Sequence, residues 1–178
     1  MEKQWFVMRD LKRSNAKNPA YKQLSELGFT VFTPMTVRVT NKGSRRISIK
    51  VPYIQDLLFV QSSKRNLDQI VAQTNTLQYR FLKGQPFGTP MTVPTEEMER
   101  FIAAVSLDKD PIYYNIDEIT PQMLGAHIRM ISDGPFNTFE GRIIKIGRSR
   151  KKRILVELNG ILAAAIELNS LHHIELLS

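Results

Sequence analysis

Cysteine is absent from this chain of 178 residues. That excludes disulfide scaffolds, thiolate zinc sites and cysteine nucleophiles. Long apolar runs are missing as well. The stretch Trp5-Phe6-Val7-Met8 near the start is short, too short for a signal-peptide core, and no run approaches the roughly 20 apolar residues of a membrane span. A cytoplasmic protein with no membrane association is expected. Histidine is scarce: His127, His172 and His173 are all there is. Two adjacent histidines on a strand point to opposite faces, so the last pair makes a poor shared metal site. No Gly-rich loop of the Walker or dinucleotide type occurs. Glu96, Glu97 and Glu99 are better explained as the first turn of a helix than as a catalytic cluster. The expectation is a protein that is not an enzyme, with no cofactor and no metal.

What is present is a basic excess: 25 Lys and Arg against 17 Asp and Glu, a formal net charge of +8. Such an excess points to a polyanionic partner, nucleic acid first, with an inert basic surface as the alternative. Hydrophobic residues make up 42% of the chain, enough for a packed core and against global disorder. The charge is not shared evenly. Residues 1–110 hold 17 basic and 10 acidic side chains, and residues 111–178 hold 8 and 7. The polyanion argument therefore applies mainly to the first part. Yet Arg148, Arg150, Lys151, Lys152 and Arg153 crowd into one loop of the second.

The periodicity of the first part alternates between strand and helix. Trp5–Met8 reads as a buried strand. Asn18 and Pro19 suit a helix start, and Tyr21, Leu24 and Leu27 recur at helical spacing until Gly28 stops them, so a helix is expected over Pro19–Leu27. Phe29–Pro34 returns to strand chemistry. Thr36–Thr40 and Arg46–Val51 alternate on either side of the turn signal Asn41–Ser44, a β-hairpin with Lys42, Arg45, Arg46 and Lys50 about its tip. Leu57–Val60 is a continuous apolar run, the mark of a central strand. A second helix is expected over Asn66–Thr74 with Asn66 as cap, then a strand near Tyr79–Leu82. After the Gly/Pro-rich loop Gly84–Pro90 a third helix opens at Pro94-Thr95-Glu96-Glu97, with Met98, Phe101, Ile102 and Val105 as its apolar face. This order predicts an α+β fold, an antiparallel-rich sheet with helices packed on it.

Composition changes near Ser106. Asp108–Pro111 and Thr120-Pro121 are breaks, so a linker is placed over 107–120, between a first domain of 1–106 and a second of 121–178. Ile112-Tyr113-Tyr114 is apolar, so this part of the linker is expected to dock on a domain. Beyond Pro121 the helical period disappears. Short strand-like runs cover His127–Ile131, Arg142–Ile146, Ile154–Leu158, Leu162–Leu168 and Leu171–Leu176. Gly134-Pro135, Gly147–Ser149 and Asn159-Gly160 separate them. Five such strands suggest a small β-barrel, whose closure would remove exposed sheet edges.

Two sets of residues carry a family resemblance. Gly125-Ala126-His127-Ile128-Arg129-Met130-Ile131, then Gly134-Pro135-Phe136 and Phe139-Glu140-Gly141-Arg142-Ile143, resembles the KOW motif. A strand, a tight turn and a glycine that admits the next strand are its physical content. Trp5-Phe6-Val7, Phe32-Thr33-Pro34-Met35, Pro52–Val60, Phe81–Gly84 and Val93-Pro94 resemble the N-terminal domain of the NusG family. Together the two stretches cover about nine tenths of the chain. Phe32–Met35 and the long basic hairpin are most similar to the specialised RfaH-type and UpxY-type paralogs.

The resemblance implies a NusG N-terminal α/β sandwich followed by a five-stranded SH3-like KOW barrel. It also implies a transcription elongation or antitermination factor, a monomer serving a capsular polysaccharide type of operon. The implied partners are the clamp helices of the largest RNA polymerase subunit and the non-template DNA strand. A ribosomal protein, the termination factor Rho or nascent RNA would be reached through the KOW domain. The family's cavity segment is Pro52–Val60 here. Tyr53, Ile54 and Leu57 are the candidates for an exposed docking patch, with Phe59 and Trp5 beside them. Lys64, Arg65, Gln69, Gln73 and Arg80, then Arg45 and Arg46, are the candidates for DNA contact. Phe136, Phe139, Arg148, Arg150, Lys151 and Lys152 are those for the partner of the second domain. Here Asn159–Leu168 lacks the arginine, threonine and proline of the family's later motif. Two other readings stay open: a KOW-containing RNA- or ribosome-binding module, and a purely protein-binding scaffold with no salt-sensitive nucleic-acid affinity.

Overall fold

A computed structural model describes residues 3–13, 15–134, 136–170 and 172–177. The chain divides into two compact units, 1–95 and 96–178.

In the first unit the Trp5–Met8 run lengthens into β1 (Gln4–Asp10), and the run at Leu57 becomes β5 (Leu57–Ser62). They pair antiparallel, with Phe6 opposite Val60 and Val7 opposite Phe59. β2 (Thr30–Phe32) adds to the far edge of β5. The other edge of β1 is shared by β6 (Leu77–Tyr79) and β7 (Thr92–Val93). Side chains alternate across a strand. One face therefore presents Phe6, Met8, Leu58 and Val60, which pack with Ala20 and Leu24 of α1 (Ala20–Glu26) and Leu67 of α2 (Lys64–Gln73). The opposite set, Trp5, Val7, Leu57 and Phe59, is also buried. Both faces of these two strands are thus covered, which is why their sequence reads as continuous apolar runs rather than as alternation.

Both helix starts differ from expectation. α1 begins at Ala20 with Pro19 at the cap position and no cap from Asn18. The free amide of Ala20 is instead taken by the Asp10 carboxylate, Oδ2 accepting at 2.6 Å. α2 begins two residues before Asn66, because Ser63 is the cap and its Oγ accepts from the Asn66 amide. The strand expected at Tyr79–Leu82 is displaced to Leu77–Tyr79, with a single bridge from Phe81 to Pro90 beyond it.

The hairpin forms as expected, from β3 (Met35–Lys42) and β4 (Arg45–Pro52) joined by Gly43-Ser44. It is a two-stranded sheet of its own. Its cross-strand pairs put an apolar residue on one strand beside a polar or cationic one on the other: Val37 faces Lys50 and Ile49 faces Arg38.

The second unit opens with α3 (Thr95–Ser106), whose Met98, Phe101, Ala104 and Val105 are buried and whose first turn holds Glu96 and Glu97. Its sheet has six antiparallel strands. β9 (Leu124–Ile131), β10 (Thr138–Ile144), β11 (Arg153–Leu158) and β12 (Leu162–Glu167) form a meander. β13 (His173–Leu176) returns to the edge of β9. These are the five expected strands, though β10 starts four residues earlier than expected and Leu171 lies outside the described residues. The sixth, β8 (Ile112–Tyr114), comes from the segment expected to be a linker and pairs with β12. Its apolar Ile112 and Tyr114 pack on Ile144, Leu155, Ala163 and Ala165.

Two turn residues explain why this meander is tight. Asn159 and Gly160 both have positive φ, +43° and +64°, the pair of values a two-residue hairpin turn of type I′ requires. A Cβ on Gly141 would sit 2.1 Å from the carbonyl oxygen of Leu155, so the approach of β10 to β11 admits only glycine there. Pro135, the partner of Gly134 in the other expected turn, lies outside the described residues.

Candidate functional site

The segment expected to dock a partner is the turn from β4 into β5. Tyr53 and Ile54 are half-buried. The amide of Tyr53 donates to the carbonyl of Pro34 at 2.8 Å, and that of Leu57 donates to the carbonyl of Ile54 at 3.2 Å. Asp56 fixes the turn from the side. It receives Arg9 at 3.0 Å and Arg80 at 3.2 Å, while its carbonyl accepts from the Asp10 amide at 3.0 Å. Leu57 was expected to be exposed; it is only 1% exposed, because it is already the first residue of β5 and its side chain enters the sheet. Phe59 and Trp5 lie equally deep, at 0% and 2%. Of the expected docking residues, only Tyr53 and Ile54 therefore reach the surface, beside the exposed Gln55. The indole nitrogen of Trp5 is buried with no hydrogen-bond partner among the described residues.

The expected DNA-contact residues separate into two sets. Lys64 and Arg80 are engaged within the unit. Lys64 donates to both oxygens of Asp68, at 2.8 and 3.0 Å, and its ammonium lies 5.8 Å from the Tyr79 ring centroid. The Tyr79 hydroxyl donates to the same carboxylate at 2.8 Å. The Lys64 hydrogen bond, helped by that of Tyr79, holds the Asp68 carboxyl below its ordinary range. Burial, then Asp68, pushes the Tyr79 hydroxyl well above its ordinary value. Arg80 is held by Asp56.

Arg65, Gln69 and Gln73 form the second set. They are exposed and spaced four residues apart along α2, so they share one ridge of the helix. At the hairpin tip Arg45 stands opposite Lys42 on one face, and Arg46 opposite Asn41 on the other. Neither arginine meets a carboxylate among the described residues. No Asp or Glu occurs anywhere from residue 27 to residue 55, so the hairpin carries no countercharge. Sequence reasoning did not single out Arg38 on β3, although the missing acids around it were a readable signal.

In the second unit Phe136 is half-buried beneath the Arg100 guanidinium, 5.7 Å from its ring centroid. Arg100 also donates to the carbonyl of Thr138 at 3.1 Å. Phe139 is core, at 1% exposure, since its position on β10 points inward. Arg148, Arg150 and Lys152 are exposed and meet no carboxylate among the described residues, whereas Lys151 is bound to Glu167 at 2.7 Å. Arg153 is buried and 3.8 Å from Glu167, so the fifth basic residue of this loop belongs to the sheet.

No group of three His, Cys, Asp or Glu that could hold a metal exists among the described residues. Among the described residues no helix is long and apolar enough to cross a membrane. Searching the curated proteins gave no match. The family model described as "Transcription termination factor nusG" matches residues 3–102. That is more than half of the chain and, among the described residues, includes β1–β7, α1, α2 and the first eight residues of α3. The chain belongs to the NusG family of transcription elongation and termination factors, which work with RNA polymerase and are not enzymes.

Proposed function

We propose that the chain is an operon-specific antitermination factor of the RfaH and UpxY kind, serving a capsular polysaccharide type of operon and acting as a cytoplasmic monomer. The family match over residues 3–102 supports the general part of this reading, and the likeness of Phe32–Met35 and of the long basic hairpin to the specialised paralogs supports the operon-specific part. The N-terminal domain, 1–106, binds the clamp helices of the largest polymerase subunit. A linker over 107–120 leads to a KOW domain, 121–178, whose five strands β9–β13 close as an SH3-like barrel. The order β13-β9-β10-β11-β12 and the close approach at Gly141 support that assignment.

Docking on the clamp helices uses Tyr53 and Ile54 as the contact surface. Trp5, Leu57 and Phe59 form the packed floor that holds the turn rigid. A preorganised aromatic and aliphatic anchor of this sort supplies most of an interface's energy. The non-template strand runs past Arg65, Gln69 and Gln73 and the hairpin tip at Arg45 and Arg46. Cations that lack an internal partner keep their full charge for phosphate, whereas Lys64 and Arg80 must first leave Asp68 and Asp56. Bridging polymerase and DNA in this way disfavours pausing and termination.

The second domain takes its partner, a ribosomal protein, Rho or nascent RNA, at Phe136 and the exposed cations Arg148, Arg150 and Lys152. This loop also supports the alternative of an RNA- or ribosome-binding module. The experiment that separates the two is retention of the full chain on immobilised clamp helices. Tyr53→Ala with Ile54→Ala should weaken retention about tenfold or more. No retention of the unaltered chain, with tight RNA binding instead, would favour the alternative. Transcription through a pause site with and without the protein tests the activity itself.

A further inference from the structure

We propose that a cavity at the root of the β3–β4 hairpin binds the phosphate groups of a nucleotide. The cavity has a volume of about 310 Å³. It joins stretches far apart in sequence: Lys12 and Arg13 after β1, Lys22 on α1, and Arg38 and Lys50 on the hairpin. Five cationic residues line it against one carboxylate, that of Asp10.

That carboxylate is bound to backbone rather than to any of the cations, and its single negative charge leaves four of the five positive charges uncompensated. Asp10 is 7% exposed, and both its oxygens are taken by backbone amides, Oδ1 by Lys12 at 3.0 Å and Oδ2 by Ala20 at 2.6 Å. The Lys12 ammonium donates to the carbonyl of Asn18 at 2.8 Å and to Oε1 of Gln23 at 3.0 Å. Both acceptors are neutral, so they orient the lysine without cancelling its charge. Arg13, Lys22, Arg38 and Lys50 have no carboxylate within salt-bridge distance among the described residues. Like charges around a concave space with low-dielectric walls focus a positive potential into it, and an anion is what relieves it.

The size and the walls narrow the ligand. The volume lies at the lower end of the range for small organic ligands, about 300–1,000 Å³, and exceeds what one phosphate needs. Tyr21, Pro19 and Pro52 supply flat apolar surface beside the cations, suited to a sugar or base. A free nucleotide offers both chemistries. The site is distinct from the α2 ridge and the hairpin tip, and it does not depend on the polymerase reading.

The test is calorimetric titration of the full chain at roughly 50 mM salt, where phosphate contacts are least screened. The probes are ATP, pyrophosphate, adenosine, and one short single-stranded oligonucleotide with and without a 5′ phosphate. Phosphate-bearing probes should bind and adenosine should not. Arg13→Gln with Arg38→Gln should weaken binding about tenfold or more, while Lys83→Gln with Lys109→Gln, away from the cavity, should change it less than about twofold. Binding of ATP and pyrophosphate identifies a free nucleotide as the source. Binding of the oligonucleotide alone would overturn the proposal, since it would make the cavity an extension of the DNA contact already proposed for this unit. The proposal is overturned if no phosphate probe binds, or if binding ignores the Arg13/Arg38 substitutions while circular dichroism shows the fold intact. Retention on clamp helices is expected to be the same for that double variant, so failure here and failure of the polymerase reading give different results.

Discussion

The two units of this chain handle charge in opposite ways. Residues 1–95 contain 15 Lys and Arg against 5 Asp and Glu, and residues 96–178 contain 10 against 12. In the first unit the described carboxylates are largely consumed by structure. Asp56 holds Arg9 and Arg80, Asp68 holds Lys64, and Asp10 takes two backbone amides. Three of the fifteen cations therefore have an ionic partner among the described residues, and the rest are exposed except Lys12, which is half-buried against the neutral Asn18 and Gln23. In the second unit carboxylates are plentiful and tie strands together: Arg129 bridges Glu140 and Glu175, and Glu167 takes both Lys151 and Arg153. The same net charge of +8 thus conceals one unit poised for polyanions and one that neutralises itself. Exposed ion pairs add little stability, so what these pairs decide is which charges stay free for a partner.

The largest way to break the comparison is through the cores, which should be separable where the surfaces differ. Phe59→Ala leaves a void on β5 and should cost about 3–5 kcal/mol, read by urea denaturation. Hydrogen exchange should show the loss in β1 and β5 amides. Gly141→Ala comes next. Its Cβ would press on the carbonyl of Leu155, backbone that has no side-chain end to move aside. It should cost about 1–3 kcal/mol or more, with protection lost across β10 and β11. If either substitution stripped protection from both units equally, the division into two self-sufficient cores would be wrong.

A smaller effect sharpens the electrostatic side. Arg45→Gln with Arg46→Gln should weaken binding of single-stranded DNA about tenfold at roughly 50 mM salt and reduce the steepness of its salt dependence. Arg148→Gln with Arg150→Gln, in the self-neutralising unit, should leave DNA binding nearly unchanged. Fluorescence anisotropy measures both. Equal losses from the two pairs would erase the contrast.

How much of this was readable beforehand depends on range. Local patterns were: the continuous runs at Trp5 and Leu57, the alternation of the hairpin, and the close spacing of β9–β13 all give the right elements. The third helix was also clear, because Met98, Phe101 and Val105 keep helical spacing behind two glutamates. What was hidden needs two distant segments at once. The cap of α1 comes from Asp10 on β1 rather than from Asn18 beside it, and no local motif announces that. The docking of Ile112–Tyr114 was expected from its apolar character, but not that it docks as a strand, because three residues beside a proline are indistinguishable from loop until β12 is there to pair with them. For the site, the exposed ridge Arg65, Gln69 and Gln73 follows from helical period. The burial of Leu57 was readable too, since it opens the continuous run Leu57–Val60 that marks a strand covered on both faces, and only the resemblance to the family's cavity segment argued for its exposure. The cavity between the β1–α1 loop and the hairpin is invisible to any window of sequence.

The smallest predicted effect concerns the one cation of α2 that the fold keeps for itself. Lys64, Asp68 and Tyr79 form a chain of hydrogen bonds on the surface of the first unit. The folded Asp68 carboxyl lies below its unfolded value, first because of Lys64 and then because of Tyr79. The folded state therefore binds that proton less readily than the unfolded state does. The resulting stability is present above the unfolded carboxylate value, about 3.9, and is lost as pH falls through the lower folded one. The side chain is 45% exposed, so solvent screening keeps the effect to a few tenths of a kcal/mol, about what an exposed helical pair contributes. Asp68→Asn should flatten the acid limb of the stability–pH curve slightly below about pH 4. It should also do something the stability measurement cannot see. With its carboxylate gone, Lys64 joins Arg65 as a free cation, and DNA affinity at low salt should rise rather than fall. A drop in affinity would mean that Lys64 reaches phosphate only from the position in which Asp68 holds it, and the distinction drawn between engaged and free cations in this unit would fail.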